Sequence, residues 1–396
     1  MVSLLLRRRA LAGVLAAAVV IPVLALTQAR SGEAPSAGAP PGSSPSARPS
    51  GPACTPAPLE VRAARVLIVG LPGVTSADDP LAQEVVDLGV AGVFLAQGSF
   101  TTMEQVRALT SGLQARAARP LLVSTDEESG RVAATRPVLG SGPSPRRLAR
   151  TETPADVRAF AANLGRQLSM LGINLDLAPL LDLDDGPAGG IVGDRSFGKD
   201  PGVATEYGKA FATGLSDAGV TPTFKHFPGQ GRSTGDTHTK ASLVTTDLGA
   251  LQVTDLSPFQ RLIDAGAPVI MMNHLDYSAL DKDLPASLSP AAYQLLRSMG
   301  FRGVAMTDSL GMGAVNLRWD FPEATVRAIE AGADAALATD GKQARRMRDA
   351  LVAAVRSGRL PEERLNEAAA RVAALAGADP LKLACTGATK VSFPKA

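Results

Sequence analysis

Histidine, aromatic residues and charge of one sign are all scarce in this chain, and each scarcity closes off a class of function. Three histidines in 396 residues leave little material for a zinc site. None of them forms the close His-x-His pair with which metallohydrolases hold their ion at a strand end. No metal and no other cofactor is therefore expected. Aromatic residues make up 4% of the chain, so it offers no broad stacking platform for a long polysaccharide. Forty basic residues against 38 acidic ones leave a net charge of +2 with the two signs interleaved, which excludes the basic stripe of a nucleic-acid binder. No Gly-rich phosphate loop follows the first apolar run, which counts against a nucleotide-binding open sheet.

The first sixty residues do not read as folded enzyme. Arg7-Arg8-Arg9 precede an apolar run from Ala10 to Leu26, the charge-then-hydrophobe order of an export signal. Residues 1–29 are thus expected to be a signal peptide or an N-terminal membrane anchor, with Ala25 and Ala29 near a cleavage site. No cysteine follows the run directly, which disfavours a lipid-anchored form. Residues 30–58 are rich in Pro, Ser, Gly and Ala, too apolar-poor to offset their ordering entropy, and read as a flexible linker. Localisation follows as exported, either secreted or associated with the cell envelope.

The remaining 59–385 alternates short Val/Ile/Leu runs with helical stretches, followed by a tail at 386–396. Strands are predicted at Val66–Gly70, Gly92–Leu95, Leu121–Thr125, Ile173–Ala178, Thr221–Lys225, Val269–Met272, Gly303–Thr307 and Asp334–Ala338. Helices are predicted at Met103–Ala118, Pro154–Leu171, Asp200–Ala218 and Pro290–Met299, among others. Continuous apolar strands alternating with helices imply a parallel sheet covered on both faces. Eight such units imply an α/β fold, a single (β/α)₈ TIM barrel, and the length excludes two. The two cysteines, Cys54 and Cys385, flank this core. The ends of a closed barrel lie near one another, so a bridge between them is expected, two unrelated thiols being the alternative.

Barrel enzymes place reactive groups on the loops beyond the strand C-termini. Here Asp126 follows the third predicted strand, Arg195 lies in a long loop after the fourth, and Lys225-His226 close the fifth. Asn273-His274 follow the sixth and Asp308 the seventh. All three histidines (His226, His238 and His274) fall on such loops.

Four stretches carry a resemblance. Lys225-His226-Phe227-Pro228-Gly229-Gln230-Gly231, running on to Asp236-Thr237-His238, resembles a Lys-His-Phe-Pro-Gly-x-Gly motif followed by Asp-Ser-His. Asp126-Glu127-Glu128-Ser129-Gly130-Arg131 is similar to Asp-x-Glu-Gly-Gly-Arg, and Gly193–Phe197 to Gly-x-Arg-Ser-aromatic. Thr307–Met312 looks like a nucleophile segment, Ser-Asp-Asp/Ser-Leu-x-Met. Together they resemble glycoside hydrolase family 3, in its single-domain bacterial β-N-acetylglucosaminidase branch. The resemblance implies Asp308 as nucleophile, His238 paired with Asp236 as acid/base, and Asp126, Arg195, Lys225 and His226 as binders of the terminal sugar's hydroxyls. Arg131 and His274 would stand behind them. The physical reading agrees, because an imidazole with an ordinary pKa near ~6.5 can both give and take a proton near neutrality. The glycines before His238 suggest a loop that approaches the ligand closely and delivers the histidine when it closes.

Three positions depart from the pattern. Gln230 stands where the motif commonly has His, Ser129 replaces a glycine, and Ala134 occupies the place of a further substrate arginine, with Arg136 close by. The implied activity is exo-acting, retaining release of terminal β-linked N-acetylglucosamine from peptidoglycan fragments (muropeptides) or chitooligosaccharides, by a monomer. The absence of a second α/β domain carrying a carboxylic acid/base separates it from the family's β-glucosidases. A phosphorylase using the same imidazole and a non-catalytic wall-binding protein are the competing readings.

Overall fold

Each of the eight predicted apolar runs forms a strand, and it does so because each is buried on both faces. A computed structural model of the chain describes residues 54–394; the expected signal and the linker up to Ala53 lie outside the described residues. The strands are β1 (Leu67–Gly70), β2 (Gly92–Phe94), β3 (Leu122–Thr125), β4 (Leu175–Asp176), β5 (Thr221–Phe227), β6 (Val269–Met272), β7 (Val304–Thr307) and β8 (Ala336–Ala338). They pair in parallel in chain order, and β1 pairs with β8 through Leu67–Ala336 and Ile68–Leu337. A bridge between Met306 and Ala335 closes the ring between β7 and β8. The fold is a (β/α)₈ barrel.

Alternation along each strand divides the apolar side chains between two cores. Ile68, Leu122, Leu175, Val269, Val304 and Leu337 fill the barrel interior. Leu67, Val69, Val93, Val123, Ile270 and Ala336 face the helices. Each fully buried side chain of this size contributes roughly 1.5–3 kcal/mol.

The surrounding helices are α1 (Pro80–Asp87), α2 (Met103–Arg116), α3 (Pro154–Met170), α4 (Pro201–Asp217), α5 (Leu256–Asp264), α6 (Pro290–Ser298), α7 (Phe321–Ala331) and α8 (Ala344–Arg356). A chain with 29 prolines still forms them because several prolines sit at the first helical position, where no N–H is needed. Asp79, Thr153, Asp200 and Ser289 precede four of these prolines, and each side chain accepts from the backbone N–H groups of the first turn.

A further helix, α9 (Glu362–Leu375), closes the barrel from below, with Val372 and Leu375 joining the interior cluster. It is pinned there by Asp334, fully buried at the foot of β8, which takes Arg364 at 2.8 Å, Arg371 at 2.9 Å and Arg297.

The folded unit extends past both ends of 59–385. Cys54 and Cys385 are joined by a disulfide, and the Ala57 N–H donates to Leu383 O at 2.9 Å. Downstream, Phe393 is buried against Phe224 with ring centroids 5.2 Å apart. Phe393 and the partly buried Ala388 dock this segment on the core, which a composition-based boundary overlooks.

Candidate active site

Two buried cations dominate the mouth of the barrel, and their counter-ions explain its geometry. Lys225, near the end of β5, is 2% exposed and donates through Nζ to Asp126 Oδ1 and Glu128 Oε1, both at 2.6 Å. Arg195 comes from the loop after β4 and grips Glu128 through two parallel bonds of 2.7 Å. Burial pushes the Glu128 carboxyl up, but Arg195 and then Lys225 more than reverse this and hold it at about 2. Burial likewise works against the Lys225 charge, and Asp126 and Glu128 overcome it, so its pKa is raised. Glu128 was not among the residues expected to serve the site. The signal for it was physical: two cations drawn to one mouth require a buried counter-charge, and Glu128 lies two residues beyond Asp126.

A second missed carboxylate organises His226. Asp182, fully buried, takes His226 Nδ1 at 2.6 Å, the His226 N–H at 3.2 Å and the Gln230 N–H at 2.7 Å. A ring nitrogen facing a carboxylate carries the proton, so Nε2 is the nitrogen His226 offers elsewhere. From below, Tyr277 donates to Gly229 O at 2.6 Å and Asn273 donates to the tyrosine oxygen at 2.8 Å, locking the 226–230 turn. The peptide bonds Lys225–His226 and Phe227–Pro228 are cis.

Asp308 stands one residue past β7. Burial raises its carboxyl, but His274, His226, the Ser309 N–H at 2.7 Å and Lys225 together hold it below the usual range, so it is ionised. His274 is completely buried and lies behind Asp308. Its Nε2 faces Ser309 O at 2.8 Å and must donate, while Nδ1 meets Ser287 Oγ at 2.6 Å. Burial depresses its pKa, and its bond to Ser309 O clamps the residue next to Asp308.

His238 and Asp236 occupy the long loop after β5. The Asp236 carboxylate accepts the His238 N–H at 3.0 Å and Nδ1 at 2.8 Å, which leaves Nε2 free. These bonds, the backbone one first, lower the Asp236 pKa. The loop is tied to the segment following Asp308: Gly313 N–H donates to His238 O at 2.9 Å and Ala314 N–H to Thr237 O at 3.0 Å. Gly231, one of the glycines expected to admit a ligand, instead admits protein, and Gly313 in the facing segment does the same. A Cβ at Gly231 would lie 1.8 Å from Leu183 O, and one at Gly313 would lie 2.6 Å from Thr239 O.

Asp126, Arg195, Lys225, His226, Gln230, His238, Asp308, Ser309 and Thr339 converge on one cavity of about 280 Å³, floored by Phe94, Leu177, Met271 and Leu337. That is just below the range of about 300–1,000 Å³ usual for ligand sites and suits one sugar ring rather than a chain. Arg131 lies outside it, bonded to Asp194 at 3.0 Å and to carbonyls of 190–192, so it fixes the loop that carries Arg195. Arg136 is turned onto the carbonyls of Gly130 and Arg131 and does not line the cavity in place of the arginine absent at 134.

Known proteins are similar to this chain along most of its length. Residues 60–375 match the family model described as the glycosyl hydrolase family 3 N terminal domain. The sequence is similar to the β-hexosaminidase LpqI of Mycobacterium tuberculosis, 40% identical over 340 residues that cover 83% of this chain and 86% of that protein. Among solved structures it resembles a glycosyl hydrolase of the GH3 family from Mycobacterium smegmatis, with a TM-score of 0.76, 40% identity, and coverage of 81% of this chain and 97% of that one. It also resembles a family 3 β-N-acetylglucosaminidase from Paenibacillus, with a TM-score of 0.75, 32% identity, and coverage of 81% and 62%.

Proposed function

The chain belongs to glycosyl hydrolase family 3, and from that premise we propose that it is an exo-acting, retaining β-N-acetylhexosaminidase releasing terminal N-acetylglucosamine. The observation that carries the reading is the convergence of an ionised Asp308 and the free Nε2 of an Asp236-paired His238 on one single-ring cavity.

Asp308 attacks the anomeric carbon as the bond to the leaving oxygen breaks, and that oxygen takes the proton from His238 Nε2. Water then bonds to the same carbon, yields its proton to Nε2 and displaces Asp308, so the configuration is retained. Asp236 holds the imidazole by Nδ1 and stabilises its cationic form. Asp126, Arg195, Lys225 and His226 read the sugar hydroxyls. A substrate lacking one of those hydroxyls leaves a buried charged group unpaired, which gives strong discrimination. Asp126 and Arg195 also face each other across Lys225 and Glu128, so the reading groups are rigid before substrate arrives.

The basic-then-apolar start of the chain supports export, and outside the membrane the available substrates are peptidoglycan fragments and chitin-type oligosaccharides. Hydrolysis of p-nitrophenyl β-N-acetylglucosaminide by the folded domain tests the proposal. Wild type should turn over, Asp308→Ala should be inactive, and His238→Ala should be slowed mainly at breakdown of the glycosyl-enzyme, because this leaving group needs little protonation. Preference for the β-glucoside would overturn the substrate, accumulation of sugar 1-phosphate with added phosphate would overturn hydrolysis, and binding without turnover would overturn catalysis.

A further inference from the structure

We propose that Gln230 is a further sugar-binding residue, which contacts the terminal N-acetylglucosamine through its side-chain carboxamide; the inference rests on the reading of the cavity as an N-acetylglucosamine site. Gln230 is 3% exposed and lines the cavity together with Asp126, His226 and Asp308. Its backbone is fixed by the 2.7 Å bond to Asp182 Oδ1, the carboxylate that also holds His226. One anchor therefore sets both residues on the same wall, His226 with Nε2 free and Gln230 with its carboxamide.

That carboxamide is unsatisfied. Its Oε1 is buried and has no hydrogen-bond partner among the described residues. Leaving such a group unpaired costs about 1–3 kcal/mol, so a buried orphan on a cavity wall calls for a ligand group that completes it. The two ends of a carboxamide have the same shape, and a half-turn about the last side-chain bond exchanges donor for acceptor. A sugar hydroxyl, which both donates and accepts, answers either end. The contact is to the terminal ring rather than to the departing group, because Gln230 lies deep while His238, which must reach the glycosidic oxygen, has a side chain 69% exposed at the rim.

Gln230→Leu keeps most of the volume and removes both polar atoms. With the aryl N-acetylglucosaminide, its KM and the inhibition constant of free N-acetylglucosamine should both rise about tenfold, the equivalent of one hydrogen bond of about 1.4 kcal/mol. Its melting temperature should be unchanged or higher, since an orphan polar group has gone. Wild-type values of both constants would overturn the role of Gln230 alone. A wild type that neither hydrolyses nor binds the N-acetylglucosaminide would overturn the site reading as well. Should Gln230→Leu fail to fold, a crystal structure of the wild-type domain with N-acetylglucosamine decides. A carboxamide within hydrogen-bond distance of a hydroxyl is expected, and a seated sugar with no such contact would sink the proposal.

Discussion

A Cβ built on Gly142 would lie 2.2 Å from Ser129 Oγ, so the hydroxyl of one residue occupies the space the other leaves. Ser129 adopts φ +67°, the left-handed region that favours glycine, and its Oγ donates to Pro143 O at 2.7 Å. The strain of ~1–2 kcal/mol is thus set against one hydrogen bond of ~1 kcal/mol. Ser129→Gly should stay within about 1 kcal/mol of wild type in urea unfolding, while Ser129→Ala, which keeps the strain and loses the bond, should lose roughly 1 kcal/mol. Gly142→Ala should cost about 1–3 kcal/mol by overpacking, and a Ser129→Gly background should recover part of it. Additive effects in the double variant would show that the two positions are uncoupled. Recovery should be incomplete, because Phe160 also stands 3.0 Å from the added carbon.

Glu128 is the counter-ion of both cavity-lining cations, Arg195 and Lys225, and Glu128→Gln should leave them short of charge. Breaking a buried pair in this way costs roughly 3–5 kcal/mol, and kcat/KM on the aryl substrate should fall at least about tenfold as Arg195 and Lys225 lose their alignment. The sign with pH follows from a folded-state pKa of about 2 against an ordinary 4.5. The stabilisation is complete above pH ~4.5 and is lost as pH falls toward 2, a contribution of roughly 3 kcal/mol. Urea midpoints measured across that window should fall more steeply for wild type than for the variant; parallel slopes would contradict the assignment.

Asp176 makes the opposite prediction. It is fully buried, Oδ1 accepts the Glu127 N–H at 3.0 Å, and Oδ2 has no partner among the described residues. Burial and the nearby Glu127 raise its pKa well above the ordinary value, so the folded protein keeps it protonated where the unfolded chain ionises. That opposes folding once pH exceeds the unfolded value of ~3.9. Asp176→Asn preserves an acceptor for Glu127 and should be at least as stable as wild type at neutral pH, with any gain vanishing below about pH 4. A large loss at neutrality would mean that the carboxylate is charged and paired.

The Cys54–Cys385 bridge joins positions 331 residues apart. Cys54→Ser should lower unfolding free energy by about 2–4 kcal/mol and leave kcat/KM on the aryl substrate unchanged, since neither cysteine lines the cavity. Unfolding with and without reductant, beside the assay, checks both halves.

The strands were legible because a parallel sheet buried on both faces demands unbroken apolar runs, as in Leu67–Gly70 and Val269–Met272. Their ends were less so: β5 continues to Phe227, while the ladder of β4 is confined to Leu175–Asp176. The cavity-lining charges Asp126, Arg195, Lys225 and Asp308 lie near or beyond the C-terminal ends of strands and could be read as a set. Glu128 was signalled only through the two cations that need a counter-charge and Asp182 not at all, because a carboxylate's burial is decided by the cation or imidazole that folding brings to it. The docking of Phe393 on Phe224 was hidden for a similar reason, as a lone aromatic in a polar tail has no local pattern.

Two features at the foot of the barrel, the α9 plug and the tied chain ends, give the molecule a polarity useful beyond chemistry. A resin or surface coupled beside the Cys54–Cys385 bridge attaches away from the cavity, which neither cysteine lines. The domain can therefore be immobilised beside that bridge without occluding the opening, whereas coupling through loop lysines such as Lys240 would put the linker beside His238.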